Sequence, residues 1–276
     1  AYPYIAERVE VAKDAKSVTF FLRPQARFHD NTPITAADVE FSFHSLMKHA
    51  FPIYRVSYDQ VARVECINSH TVRFSFKTPS KDLPFMLGKM AVFSKKYHQI
   101  HPFKDGNIPP LGSGPYRITY KQRAADVTYV RIKNWWGENL PVNRGFYNFD
   151  AMHYALFVNQ VAGFEGFKKG IIDVWNEERI GNWMTGYDVE AVRDGSIVRR
   201  TYHSHATRGM PGLFINTRRP HLQDRRVRHA LNLLFNFEWL NTFINPNPTF
   251  IENQDNWAYW NKYERYRVYD VGALVT

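Results

Sequence analysis

Residues 20–46 read FFLRPQARFHDNTPITAADVEFSFHSL, and the fold is decided by how this stretch changes period. It opens as the end of an alternating strand, turns through Pro and Asn, and then repeats its apolar residues at helical spacing. Thr35 stands where an N-cap is needed, ahead of a helix carrying Val39, Phe41, Phe43 and Leu46. Asp38 falls at the third helical position, the capping-box place, with Asp in the role more often taken by Glu or Gln. Upstream, YIAERVEVAKDAKSVTFFLRPQARF holds two alternating runs around Lys13-Asp14-Ala15-Lys16, which predicts a hairpin.

Downstream, Tyr58 to Lys77 alternate as two further strands with a turn at Asn68-Ser69-His70. The stretch KTPSKDLPFMLGKMAVFSKKYHQI then gives a Pro-punctuated loop and a helix-like run. Gly and Pro concentrate in GNIPPLGSGPYRITYKQ, which places a domain crossing near Pro110. Beyond it, GPYRITYKQRAADVTYVRIKNWW reads as a strand pair, FDAMHYALFVN as an apolar strand, and QVAGFEGFKKG as a short helix closed by Gly170 at C′. The following IIDVW completes a β-α-β rhythm. GMPGLFINT reads as a buried strand, and RRVRHALNLLFNFEWLNTFI as a helix with Val227, Ala230, Leu231, Leu234 and Phe235 on one side. The last stretch, residues 245–276, has no clean period and stays unassigned.

At 276 residues and 44% hydrophobic, the chain can bury a sizeable core, which argues against disorder. Its 16% aromatic content is high and scattered among charged residues. A single cysteine, Cys66, excludes an intramolecular disulfide and a cysteine metal site, and its alternating surroundings make it a buried strand thiol. No window reaches the roughly 18 to 20 apolar residues needed to span a bilayer. The first residues lack the basic start and apolar centre of a signal peptide. The net charge of +10 attracts anions, but the basic residues are spread out and no zinc-finger, RNP or phosphate-loop pattern accompanies them. There is no HExxH, no Walker loop and no nucleophile elbow, since Ser113 in GSGPY lacks the G-x-S-x-G spacing; the chain is not read as an enzyme.

The opening stretch resembles the signature of the bacterial extracellular solute-binding proteins of family 5, which includes dipeptide, oligopeptide and nickel receptors. LGSGPYRIT and LFINTRRPHLQDRRVRHALNLLFNFEW resemble later blocks of the same family, in the same order. DVWNEERIGNWMTGYD, with the last block, is similar to the Yej-type branch, associated with oligopeptides and microcin C. The turn glycine usual in the first block is replaced by Asn31, which tolerates a left-handed backbone. The resemblance implies an α/β, type II periplasmic-binding fold of two lobes with an additional small mixed α/β domain. Residues 1–110 would form the small domain, 111–217 part of the large lobe, and 218–276 the start of a second lobe that is incomplete here. It further implies the binding component of an ABC importer, a monomer in the periplasm that captures an oligopeptide by lobe closure and docks on an inner-membrane permease. No cofactor, metal or nucleic acid is expected. The chain is expected to be truncated, its signal peptide removed, and to bind weakly by itself. A haem or nickel receptor of the same family is the alternative; a basic nucleic-acid-binding module is the alternative from another class.

A peptide receptor needs groups that bind backbone atoms and roomy aromatic pockets for side chains. Tyr54 and Tyr58, in FPIYRVSYDQ, lie where related receptors present tyrosine, and either serve ligand or packing. Trp175, Asn176 and Glu177 follow IIDVW at its carboxyl end, where open α/β sheets place ligands; Glu177 is either a partner for a cation or an exposed helix-start carboxylate. Asn182 and Trp183 share that argument. Trp135-Trp136 is read as structural, and the arginines around Asp224 as salt bridges near the lobe crossing. The pairs His98/His101 and His203/His205 lack an acidic or thiol partner and are read as capping or surface histidines.

Overall fold

The structure, a computed structural model, describes residues 4–103, 109–121, 126–177, 179, 181–202, 214–236 and 239. The chain divides into two compact units, Ala1–Val158 and Asn159–Thr276. Among the described residues no helix is long and apolar enough to cross a membrane.

The first unit begins with the expected hairpins. Strands β1 (Ala6–Val11) and β2 (Ser17–Leu22) pair antiparallel, and so do β3 (Val61–Asn68) and β4 (Thr71–Phe76). The four assemble in the order β1-β2-β4-β3, so β2 and β4 are central and carry the buried Val18, Phe20, Val72 and Phe74. Between the hairpins lie α1 (Ala36–His49) and α2 (Pro52–Tyr58). Helix α1 starts at Thr35 as the sequence requires, and Val39, Phe43 and Leu46 recur every three or four residues to bury one stripe in the sheet's core. Asp38 Oδ2 accepts from the backbone N–H and the hydroxyl of Thr35 at 2.9 and 2.7 Å, while Oδ1 accepts from Lys95 N at 2.8 Å. One turn on, the fully buried Ser42 donates to Asp38 O at 2.6 Å and accepts from Phe93 N at 2.7 Å. Asn31 adopts φ 70°, the left-handed conformation its place in the turn demands.

Short helices α3 (Leu83–Leu87) and α4 (Lys95–Ile100) follow, and then a three-stranded antiparallel sheet of β5 (Tyr116–Lys121), β6 (Asp126–Arg131) and β7 (Ala151–Ala155). Residues 112–114, in the Gly-Pro-rich stretch just before β5, are tied down: His29 N donates to Gly112 O at 2.9 Å, His29 Nε2 bonds Gly114 O at 2.9 Å, and both indoles of Trp135 and Trp136 donate to Ser113 O. Trp135-Trp136 is thus a packing element, and burial holds the His29 imidazole below its ordinary pKa.

The second unit holds α5 (Gln160–Lys168), α6 (Glu190–Arg193) and α7 (Arg225–Leu234), with a π-helical turn at Asn182–Gly186. Gly170, at φ 74°, closes α5 as expected.

Three local expectations differ. IIDVW is not a strand: Ile171 and Val174 are largely exposed, and a short apolar run pairs only where an open edge meets it. Cys66 is exposed on the edge strand β3, its Sγ 3.6 Å from Glu40 Oε2, because alternation alone does not say which face is covered. Tyr58, read as the start of a strand, is the last residue of the helix α2, whose start is marked by Pro52 in its first turn, and β3 begins only at Val61. GMPGLFINT lies outside the described residues except for its last four, which form no strand, and His203 and His205 and residues 245–276 lie outside them altogether.

Replacing Asp38 with Ala leaves three donors without their acceptor, two of them backbone N–H groups, and is expected to cost about 3 kcal/mol, against about 1 kcal/mol for Thr35→Ala. Urea unfolding should show this as a lower midpoint at unchanged slope.

Candidate functional site

In the first unit, Tyr54 is half-buried on α2, whereas Tyr58 is only 5% exposed and belongs to the core cluster, its ring 5.9 Å from that of Phe43 and 6.2 Å from that of Tyr54. Burial raises the Tyr58 phenol above its ordinary pKa.

In the second unit the remaining candidates gather around one carboxylate. Asn159 caps α5, its side chain accepting from Ala162 N, and the left-handed Gly170 turns the chain back against that helix. Trp175 returns over α5, with ring centroids 6.2 Å from Phe164 and 6.4 Å from Phe167. The π-helical turn then brings Tyr187 edge-on to Phe164 at 5.1 Å. A Cβ at Gly186 would meet the Phe164 ring at 3.0 Å, so any other residue there would have to push that ring aside by a few tenths of an ångström. Trp183, within the same turn, stands 6.0 Å from Tyr187.

Glu177 sits amid these rings, half-buried. Its Oε2 accepts from the Trp175 indole at 3.1 Å and from the Tyr187 hydroxyl at 3.2 Å, and its Oε1 accepts from Arg179 N at 2.8 Å. A carboxylate has about four acceptor positions, so with three filled it is oriented yet still able to take one more donor. Arg199 lies across the other side, its guanidinium 5.1 Å over Trp183 and 5.5 Å from Tyr187, donating to Trp183 O at 2.8 Å. The Tyr187 phenol is pushed up to about 12 by burial first, then by the charge and hydrogen bond of Glu177, with Arg199 opposing.

Of the expected residues, Trp175, Glu177 and Trp183 are brought together; Asn176 is exposed beside Glu177, and Asn182 opens the π-helical turn half-buried. Tyr54 and Tyr58 belong to the other unit. Phe164, Tyr187 and Arg199 were not singled out from sequence. The FEGF spacing in α5 and the Gly-Tyr after the turn were the available signals, but neither shows which rings meet until Gly170 has reversed the chain.

The arginine cluster serves α7. Asp224 caps it by accepting from Arg226 N and pairs with the Arg226 guanidinium at 2.7 Å, while Arg228 donates to the carbonyls of Leu222 and Gln223. His98 stacks on Phe103, ring centroids 3.9 Å apart, with its Nδ1 at 3.0 Å from His101 O. Among the described residues no group of three or more His, Cys, Asp or Glu is placed to hold a metal ion.

The sequence profile of the bacterial extracellular solute-binding proteins, family 5 Middle, matches residues 1–273. The chain belongs to this family. The family 5 chain is 39% identical over 241 residues, 87% of its length, to the uncharacterized protein YejA of Escherichia coli (strain K12). It is 32% identical over 252 residues to the probable peptide-binding protein YejA of Agrobacterium fabrum (strain C58), again covering 87% of this chain. It spans about two fifths of the length of these relatives, 40% and 41% respectively. Among solved structures, the mannopinic acid complex of MoaA from A. tumefaciens R10 matches with a TM-score of 0.67 at 23% identity, over 89% of this chain and 49% of that one. DppA from Helicobacter pylori, in complex with the peptide STSA, matches with a TM-score of 0.64 at 18% identity, over 88% of this chain and 49% of that one. These likenesses show the fold, the α/β architecture of periplasmic binding proteins.

Because folding holds the Tyr187 proton beyond the ordinary 10.0, the unfolded chain loses it first, and stability should fall as pH rises from about 10 to about 12. Ultraviolet phenolate titration should show a late tyrosine that disappears in Tyr187→Phe and moves down in Glu177→Gln.

Proposed function

We propose that this chain is part of the substrate-binding component of an ABC importer, capturing oligopeptides, microcin C-like peptides among them, between two closing lobes, and that the Glu177 cradle meets the ligand. The observation that carries this reading is an acidic group held by three donors among aromatic rings, with an acceptor position left open. That arrangement suits a peptide's terminal ammonium, with Trp175, Trp183 and Tyr187 offering flat surfaces to its side chains. Asn176 and Asn182 supply amide groups for the peptide backbone; in the first unit, taken by itself, Tyr54 offers a hydroxyl to ligand, while Tyr58 shares its helix but gives its ring to the core.

Family membership and the peptide-binding name of the A. fabrum relative support the ligand class. In this reading residues 1–110 act as the small domain, 111–217 as part of the large lobe and 218–276 as the start of the second. The protein works as a periplasmic monomer on an inner-membrane permease, without chemistry on the ligand and without nucleic acid. Another relative, 33% identical over 254 residues, is named the peptidoglycan-binding protein YepA, so peptidoglycan fragments belong in any ligand panel.

Calorimetry of this chain, and of a form extended to the length of its relatives, against pooled short peptides tests the reading. The extended form is expected to bind and this chain to bind weakly or not at all; failure of both overturns the peptide assignment. In the binding form, Glu177→Gln should weaken peptides with a free amino terminus roughly ten- to a hundredfold and leave N-acetylated ones nearly unchanged.

A further inference from the structure

Among the described residues the four-stranded sheet ends at β1, which pairs there with β2 alone, so the outer edge of Ala6–Val11 presents backbone donors and acceptors to a further strand. Val9 and Val11 stand in register with Phe20 and Val18, on the face that buries the core. Phe20 and Val18 are 7% and 0% exposed, yet Val9 and Val11 are 48% and 49% exposed. The helices thus cover the central strands and leave the inner face of β1 open.

A cavity of about 600 Å³ lies beneath that open strip. Phe20, Leu22, Val39, Phe74, Phe85 and Met90 are among the apolar residues that line it. Tyr4 through Val9 line it without a gap. Tyr4 and Ile5 precede β1, and a register shift between Ala6 and Arg8 interrupts the strand's alternation, which lets consecutive residues of β1 border the cavity. Two exposed lysines, Lys81 and Lys89, stand at the rim with Glu7 and Arg8. Glu7 leans toward Arg23 at 3.8 Å and Arg8 pairs with Glu10, whereas Lys89 lies 4.5 Å over the Phe85 ring and Lys81 forms no ion pair among the described residues. The charge left to be met at this rim is positive.

We propose that this edge and cavity form a second peptide site, distinct from the Glu177 cradle, which takes an extended acidic peptide from a separate chain. The peptide adds as a fifth strand beside β1, places an apolar side chain over Phe20 and Phe74, and sets carboxylates against Lys81 and Lys89. Main-chain bonds to β1 supply affinity, and the lysines select acidic over basic sequences.

The test is amide NMR on the isotope-labelled 276-residue chain, titrated with an acetylated and amidated hexapeptide alternating Val and Glu, with its Val/Lys counterpart, and with laurate. The Val/Glu peptide is expected to give saturable shifts confined to Ala6–Val11 and residues 81–92. The doubly substituted Lys81→Glu, Lys89→Glu variant, altered only at exposed positions, should weaken binding about tenfold or more, and Glu177→Gln should leave it unchanged. The proposal is overturned if the Val/Glu peptide gives no saturable shift, if it shifts residues elsewhere, if the Val/Lys peptide binds equally well, or if laurate shifts these amides and the peptide does not.

Discussion

The Asp38 carboxylate is 7% exposed, and a charge so buried persists only where hydrogen bonds replace its water. Thr35 supplies two donors and Lys95 a third, so the group that starts α1 also fixes the segment leading into α4. Ser42 repeats the tie one turn later through Phe93. With its start and one flank fixed, α1 has a single way to lay Val39, Phe43 and Leu46 on β2 and β4. His29, in the turn that precedes α1, then holds Gly112 and Gly114, and the two tryptophans close on Ser113 between them. The first unit is built outward from this helix start.

That chain of dependence explains why this unit was largely legible. A cap, a Pro-bounded turn and hairpin alternation are local signals whose physics acts within a few residues, and at Thr35, Asn31 and Ser69-His70 the structure follows them. Signals that depend on distant coverage were not legible. Cys66 alternates like a buried strand residue but sits exposed on an edge strand, touched by Glu40 of α1, and IIDVW is apolar enough for a strand but forms none. The same distinction divides the candidate site. Trp175, Glu177 and Trp183 stood out by type and place, whereas Tyr187, which donates to Glu177, becomes its neighbour only through Gly170 and a π-helical turn that no periodicity announces.

Asp38 and Glu177 each accept three protein hydrogen bonds, so the number of donors does not separate a structural carboxylate from one proposed to bind. Access does. Asp38 is sealed between the first turn of α1, to which it belongs, and the Phe93–Lys95 segment, and any further donor would have to displace packing. Glu177 is half-buried, its donors come from rings and a loop amide, and its open acceptor position costs little to fill. For a receptor this has a consequence. A carboxylate already held by Trp175 and Tyr187 does not need to be ordered when a cation arrives, so the ligand contributes its affinity without that entropic cost. In the proposed reading, the same pre-organisation makes the cradle nearly indifferent to whether the lobes are open or closed. Only contacts that exist in one state and not the other can drive closure. In the proposed reading, then, Glu177 anchors the peptide, and the energy that closes the lobes comes from groups across the cleft that touch the ligand only when they meet it.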